Sequence, residues 1–144
     1  MDSVFVLATG RVATAQALGK ASELTRQSGA SIILLVPHVT AFSAPHDPSS
    51  GAAIGLVDEY RDLAMRIGVD ARVHVCVCRR MKDIFALLVS DRSMIVIGGR
   101  RGSWFWPTAE RRLADDLTRC GHAVVFADID RGASADAGFA RCEG

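Results

Sequence analysis

The sequence predicts an α/β domain built on a doubly wound, five-stranded parallel sheet, and three observations lead there. Short apolar runs recur along the chain, each about the length of a buried strand. Segments with apolar residues at helical spacing lie between them. Glycine or proline closes many of these segments, so strand and helix alternate strictly. Strands buried on both faces and joined through helices run parallel. Such sheets bind ligands beyond the carboxyl ends of their strands, where the strand order reverses.

Val4–Ala8 is the first strand, bounded by Thr9-Gly10. A helix follows over 12–28, with Ala15, Leu18, Ala21, Leu24 and Thr25 near helical spacing and Gly29 as its stop. Ser31–Val36 is the second strand, ended by Pro37. Residues 40–53 read as a loop because Pro45, Pro48 and Gly51 interrupt small polar residues. The next helix spans about Ile54 to Ile67, its stripe formed by Leu56, Tyr60, Leu63, Ala64 and Ile67. Ala71–Cys78 is the third strand, and a short helix over 82–90 turns Ile84, Leu87 and Leu88 inward. Met94–Ile97 is the fourth strand. A helix near Ala109–Arg119 carries Leu113 and Leu117, with Thr108 as its cap and Glu110 in its first turn. Ala123–Ala127 closes the sheet.

The length of 144 residues suits one domain, expected over 1–129, with a small polar tail at 130–144 expected to be disordered. Net charge is +1, so no global field argues for nucleic acid or a membrane surface. MDSVFVLATG lacks the basic start and long apolar stretch of a signal peptide, and no run is long enough to span a bilayer. A cytoplasmic protein is the expectation. Cys76, Cys78, Cys120 and Cys142 fit reduced thiols better than a disulfide framework.

Arginines collect just past the predicted strand ends: Arg11 after Gly10, Arg79 and Arg80 after the third strand, and Arg100 and Arg101 after Gly98-Gly99. Asp2, Asp70 and Asp91 lie instead near strand starts. This pattern predicts a positive carboxyl edge, where guanidinium forks and close-approaching glycine backbone would hold an anion. The candidate set is Gly10, Arg11, Arg79, Arg80, Gly99, Arg100, Arg101, Gly102 and Ser103. Solvated loop charges are the alternative.

The element order and the segment IVIGGRRG resemble the universal stress protein family over about residues 3–129. The family's phosphate motif is Gly, two residues, Gly, about nine residues, then Gly followed by Ser or Thr. Gly99-Arg100-Arg101-Gly102 matches its first half, and AVVFA resembles the family's last strand. The second half is absent. One count places it at Arg112-Leu113 and the other at Glu110-Arg111, and neither supplies Gly-Ser or Gly-Thr. Thr9 stands where nucleotide-binding members carry an Asp, and Pro37 cannot supply a backbone donor. The resemblance implies an ATP site that carries over to Gly99 and Gly102, and more weakly to Gly10. It also implies a homodimer through the last strand, Ala123 to Ala127, and an apolar edge strand independently invites pairing.

Trp104, Phe105 and Trp106 interrupt the motif. They either pack into the cleft a nucleotide would fill, or contact a ligand or protein partner. His74, Cys76 and Cys78 share one face of the third strand, but such spacing more often reflects small buried side chains than a metal site, and no metal is expected. No catalytic residue is expected, because no nucleophile–base pair is visible and His38 reads as a strand-end polar residue. The expected function is a non-catalytic, stress-related or regulatory binding module with a degenerate nucleotide or anion cleft and no required cofactor. The alternatives are an ATP-binding member with slow hydrolysis and an interaction module docking through the Trp104–Trp106 loop.

Overall fold

Five strands pair in parallel in the order β3-β2-β1-β4-β5, with β1 (Ser3–Leu7) at the centre. The others are β2 (Ser31–Val39), β3 (Ala71–Cys78), β4 (Met94–Gly99) and β5 (Ala123–Asp128). The helices among the described residues are α1 (Arg11–Thr25), α2 (Gly51–Arg66) and α3 (Ala109–Arg119). The computed structural model describes residues 3–39, 51–78, 94–100 and 108–129. The helix expected at 82–90, the tail from 130 and the aromatic segment lie outside them.

The central strands are buried on both faces, which is why they read as continuous apolar runs. Val4, Val6, Leu34 and Val96 face α1 and α2 across one core. Leu7, Leu35, Ile95 and Ile97 face Ala114 and Leu117 of α3 across the other. Each fully buried Leu or Ile here is worth about 1.5–3 kcal/mol relative to exposure. The sheet is therefore doubly wound, as the alternation predicts.

Several boundaries differ from the sequence reading for local reasons. Pro37 does not end β2. It pairs with Cys76 within a strand that continues to Val39. The Leu35 carbonyl accepts the Ala8 N–H at 2.9 Å, so Leu35 and Pro37 both turn their backbone polar groups toward β1. β1 has ended by that point, and the missing N–H costs no ladder bond. The helix of 54–67 begins earlier, at Gly51, and ends at Arg66, so residues 51–53 are helical rather than loop. Ile67 is 40% exposed, outside the stripe assigned to it. β4 runs on to Gly99 because Gly98 and Gly99 still pair with Ala127 and Asp128 of β5.

The inward face of α1 is also displaced. Ala13, Thr14, Ala17, Leu18, Ala21 and Thr25 are buried, whereas Leu24 is exposed and Ala15 only half-buried. Small residues on this face let α1 press against β4. A Cβ built on Gly98 would lie 1.9 Å from the Ala13 carbonyl oxygen, so only glycine fits there. The stops after α1 and α2 are glycines in the left-handed region, Gly29 at φ 72° and Gly68 at φ 74°.

Candidate functional site

The site follows from the strand order. β1 and β4 are neighbours, but the chain leaves β1 into α1 on one face and reaches α3, after β4, on the other. The carboxyl ends of these strands are thus the switch point of the sheet. A cleft of about 580 Å³ opens here. Ala8 and Thr9 follow β1, Val36 and Pro37 come from β2, and Leu56 and Tyr60 from α2. Ala109, Glu110, Arg112, Leu113 and Asp116 of α3 complete it. Most of its wall is apolar, with charge concentrated on the α3 side.

A hydrogen-bonded hub sets the floor. The Thr9 hydroxyl donates to the Gly98 carbonyl at 2.8 Å, tying β1 to β4. The Thr9 N–H donates to Thr14 Oγ1 at 3.1 Å, and the Thr14 side chain is fully buried. Thr14 also shares a hydrogen bond with the Tyr60 hydroxyl. Burial pushes the Tyr60 phenol above its usual 10.0, and the Glu59 carboxylate pushes it further. Arg11 and the Thr14 bond act the other way, and burial wins. Tyr60 is therefore a neutral phenol at neutral pH and not a base.

At the other end of the cleft, α3 starts directly over β4. Thr108 caps the helix, accepting the Arg111 N–H at 3.2 Å, and its hydroxyl also donates to the Arg100 carbonyl. That second bond anchors the helix start to the residue following β4. The cap and first turn then place Glu110 against Gly99. A Cβ built on Gly99 would lie 2.7 Å from Glu110 Cβ, 2.8 Å from Cγ and 3.3 Å from Cδ. Gly99 is needed because the glutamate stem occupies the space above it.

Among the described residues, acids accompany the arginines at this edge. Helices contribute acids that the strand-end count did not include. Arg11 is paired with Glu59 of α2 at 2.9 Å, both about half exposed. Asp116 is held by Arg119 at 2.7 Å, and Arg111 lies 3.4 Å from Asp115 and over the Phe126 ring. Asp128 pairs in register with Gly99.

Of the sequence-predicted site residues, Gly10, Arg11, Gly99 and Arg100 fall at this edge. Gly10 precedes α1 in an extended conformation and its carbonyl accepts the Thr14 N–H at 2.7 Å. Arg100 is exposed. Arg79, Arg80, Arg101, Gly102, Ser103, Trp104, Phe105 and Trp106 lie outside the described residues. His38 is half-buried next to Pro37, and its Nδ1 has no hydrogen-bond partner among the described residues. His74 is exposed and Cys76 half-buried, and among the described residues no group of three or more His, Cys, Asp or Glu could hold a metal. No helix among them is long and apolar enough to cross a membrane.

The sequence reading did not select Leu56, Tyr60, Arg112, Leu113 or Asp116 as site residues. Leu56 and Tyr60 were assigned to the core stripe of α2, and Tyr60 is indeed buried. What marks them as cleft residues is that α2 extends past the end of β1, which requires the strand register.

No family model matches the sequence, and no curated protein matches it. Solved structures do. A universal stress protein from Archaeoglobus fulgidus superposes with a TM-score of 0.61 at 13% identity, covering 88% of this chain and 93% of that one. The structure of the universal stress protein from the same organism in complex with dAMP gives 0.57 at 15% identity, covering 88% and 97%. A universal stress protein family protein from Arabidopsis thaliana with AMP bound gives 0.55 at 16% identity, covering 89% and 92%. The fold is that of the universal stress proteins.

Proposed function

We propose that this chain is a non-catalytic, stress-related or regulatory binding module of the universal stress protein type, taking a nucleoside or nucleotide in the cleft at its carboxyl edge. The observation that carries this reading is the cleft itself. It sits at the switch point, has apolar walls suited to a flat ring, and carries a few charged side chains on one side. The AMP and dAMP complexes of proteins with the same fold support an adenine ligand. Support for a binding rather than a catalytic role comes from two of the cleft's titratable groups. Tyr60 is held protonated, and Asp116 is tied to Arg119. A cytoplasmic homodimer formed through the edge strand β5 belongs to the same reading.

The test is a calorimetric titration of the whole chain with AMP, alongside phosphate release from ATP measured over hours. Saturable AMP binding with no phosphate release above buffer supports the reading. Turnover of ATP would replace it with a slow hydrolase.

A further inference from the structure

The acids at the glycine end of the cleft narrow the ligand class, on the premise that the cleft binds a nucleoside or nucleotide at all. We infer that it selects an uncharged nucleoside over its phosphorylated forms, and that Glu110 sets this selection.

A glycine-ended strand beside a helix N-terminus at a switch point is where an anion is ordinarily received. In this chain the place is filled from within. The bare Cα of Gly98 is taken up by the Ala13 carbonyl, and that of Gly99 by the Glu110 stem. Glu110 Cδ itself lies 3.3 Å from a Cβ built on Gly99, which puts the carboxylate at the glycine end. The Arg111 N–H is satisfied by Thr108 Oγ1, and the Glu110 charge already sits in the positive first turn of α3. Among the described residues, a phosphate brought here meets the Glu110 carboxylate. Asp116 lines the same cleft, with its charge paired to Arg119, so Glu110 carries the larger share. Arg112 is the cation in the described lining, and the nearby Arg11 is paired with Glu59.

What disfavours phosphate favours hydroxyls. A carboxylate accepts hydrogen bonds and donates none, so Glu110 and Asp116 suit the hydroxyls of a ribose. Val36, Pro37, Leu56 and Leu113 offer apolar surface for the base.

The experiment is calorimetric titration of the full chain with adenosine, AMP and ATP at matched ionic strength, for the wild type and for Glu110→Gln. Glutamine keeps the stem over Gly99 and removes only the charge. The expected result is adenosine binding roughly tenfold or more tighter than ATP, with AMP between, and a ratio that falls about tenfold in Glu110→Gln. Asp116→Asn is expected to move the ratio in the same direction by less. ATP binding as tightly as adenosine in the wild type overturns the inference and leaves the nucleotide reading standing. An unchanged ratio in Glu110→Gln overturns the role given to Glu110. Binding of none of the three overturns the nucleotide reading and this inference with it.

Discussion

Glu110 lies on Gly99 so closely that a methyl group at position 99 would sit 2.7 Å from the Glu110 Cβ. One contact thereby links the end of β4, the first turn of α3 and the entrance of the cleft. Gly99→Ala is expected to destabilise the fold by about 1–3 kcal/mol through overpacking, and Glu110→Ala in the same chain to recover the part due to Cγ and Cδ, since alanine keeps the Cβ. A double-mutant cycle by chemical denaturation measures the coupling. Strictly additive effects would mean that the two positions do not meet.

Gly98→Ala is the harsher change. Its Cβ would meet the Ala13 carbonyl oxygen at 1.9 Å, with the Ala13 carbonyl carbon and Cα also within reach, a far deeper overlap than the 2.7 Å contact at position 99. The expected loss exceeds about 4 kcal/mol, in the range where a domain of this size fails to fold. Thermal melting of the two alanine variants side by side checks the ranking.

Thr14→Val tests the buried hub. It keeps the shape but removes the acceptor of the Thr9 N–H and the partner of the Tyr60 hydroxyl. A cost of about 1–3 kcal/mol follows from leaving these groups unpaired. Denaturant unfolding reads it directly, and a neutral result would place water or another group at Thr9.

Tyr60 predicts an alkaline limit to stability. Its folded pKa lies above the ordinary 10.0, so the folded state holds the phenolic proton more tightly than the unfolded chain. The associated stability is fully present below pH 10 and is lost as the pH rises through the folded value. Tyr60 is the one tyrosine in the sequence, so tyrosinate absorbance reports it alone. The titration midpoint is expected above 10, moving down toward 10 on unfolding, and Tyr60→Phe is expected to flatten the stability curve in that range.

Much of this architecture was legible in the sequence, and the parts that were not share a cause. Val4–Ala8, Ala71–Cys78 and Ala109–Arg119 could be placed because burial or amphipathicity repeats locally, and the Thr108 cap because its chemistry is local. The strand extensions at Pro37 and Gly99 depend on which neighbour each residue faces. The inward face of α1 depends on how closely it approaches β4. The acids that the described residues bring to the carboxyl edge, Glu59 and Asp116, lie far along the chain from β1, where the edge begins. Glu110 was visible as a departure from a motif, but only the packing shows that it lies on Gly99.

The central claim is that the carboxyl-edge cleft is the ligand site. Amide chemical-shift mapping of the whole chain during an adenosine titration tests it most directly. Saturable shifts concentrated at Thr9, Val36, Tyr60, Glu110 and Leu113 are the predicted result. Saturable shifts centred instead on the groove at the opposite edge of the sheet, around Arg26, Asp70 and Arg72, or no saturable shifts at all, would contradict it.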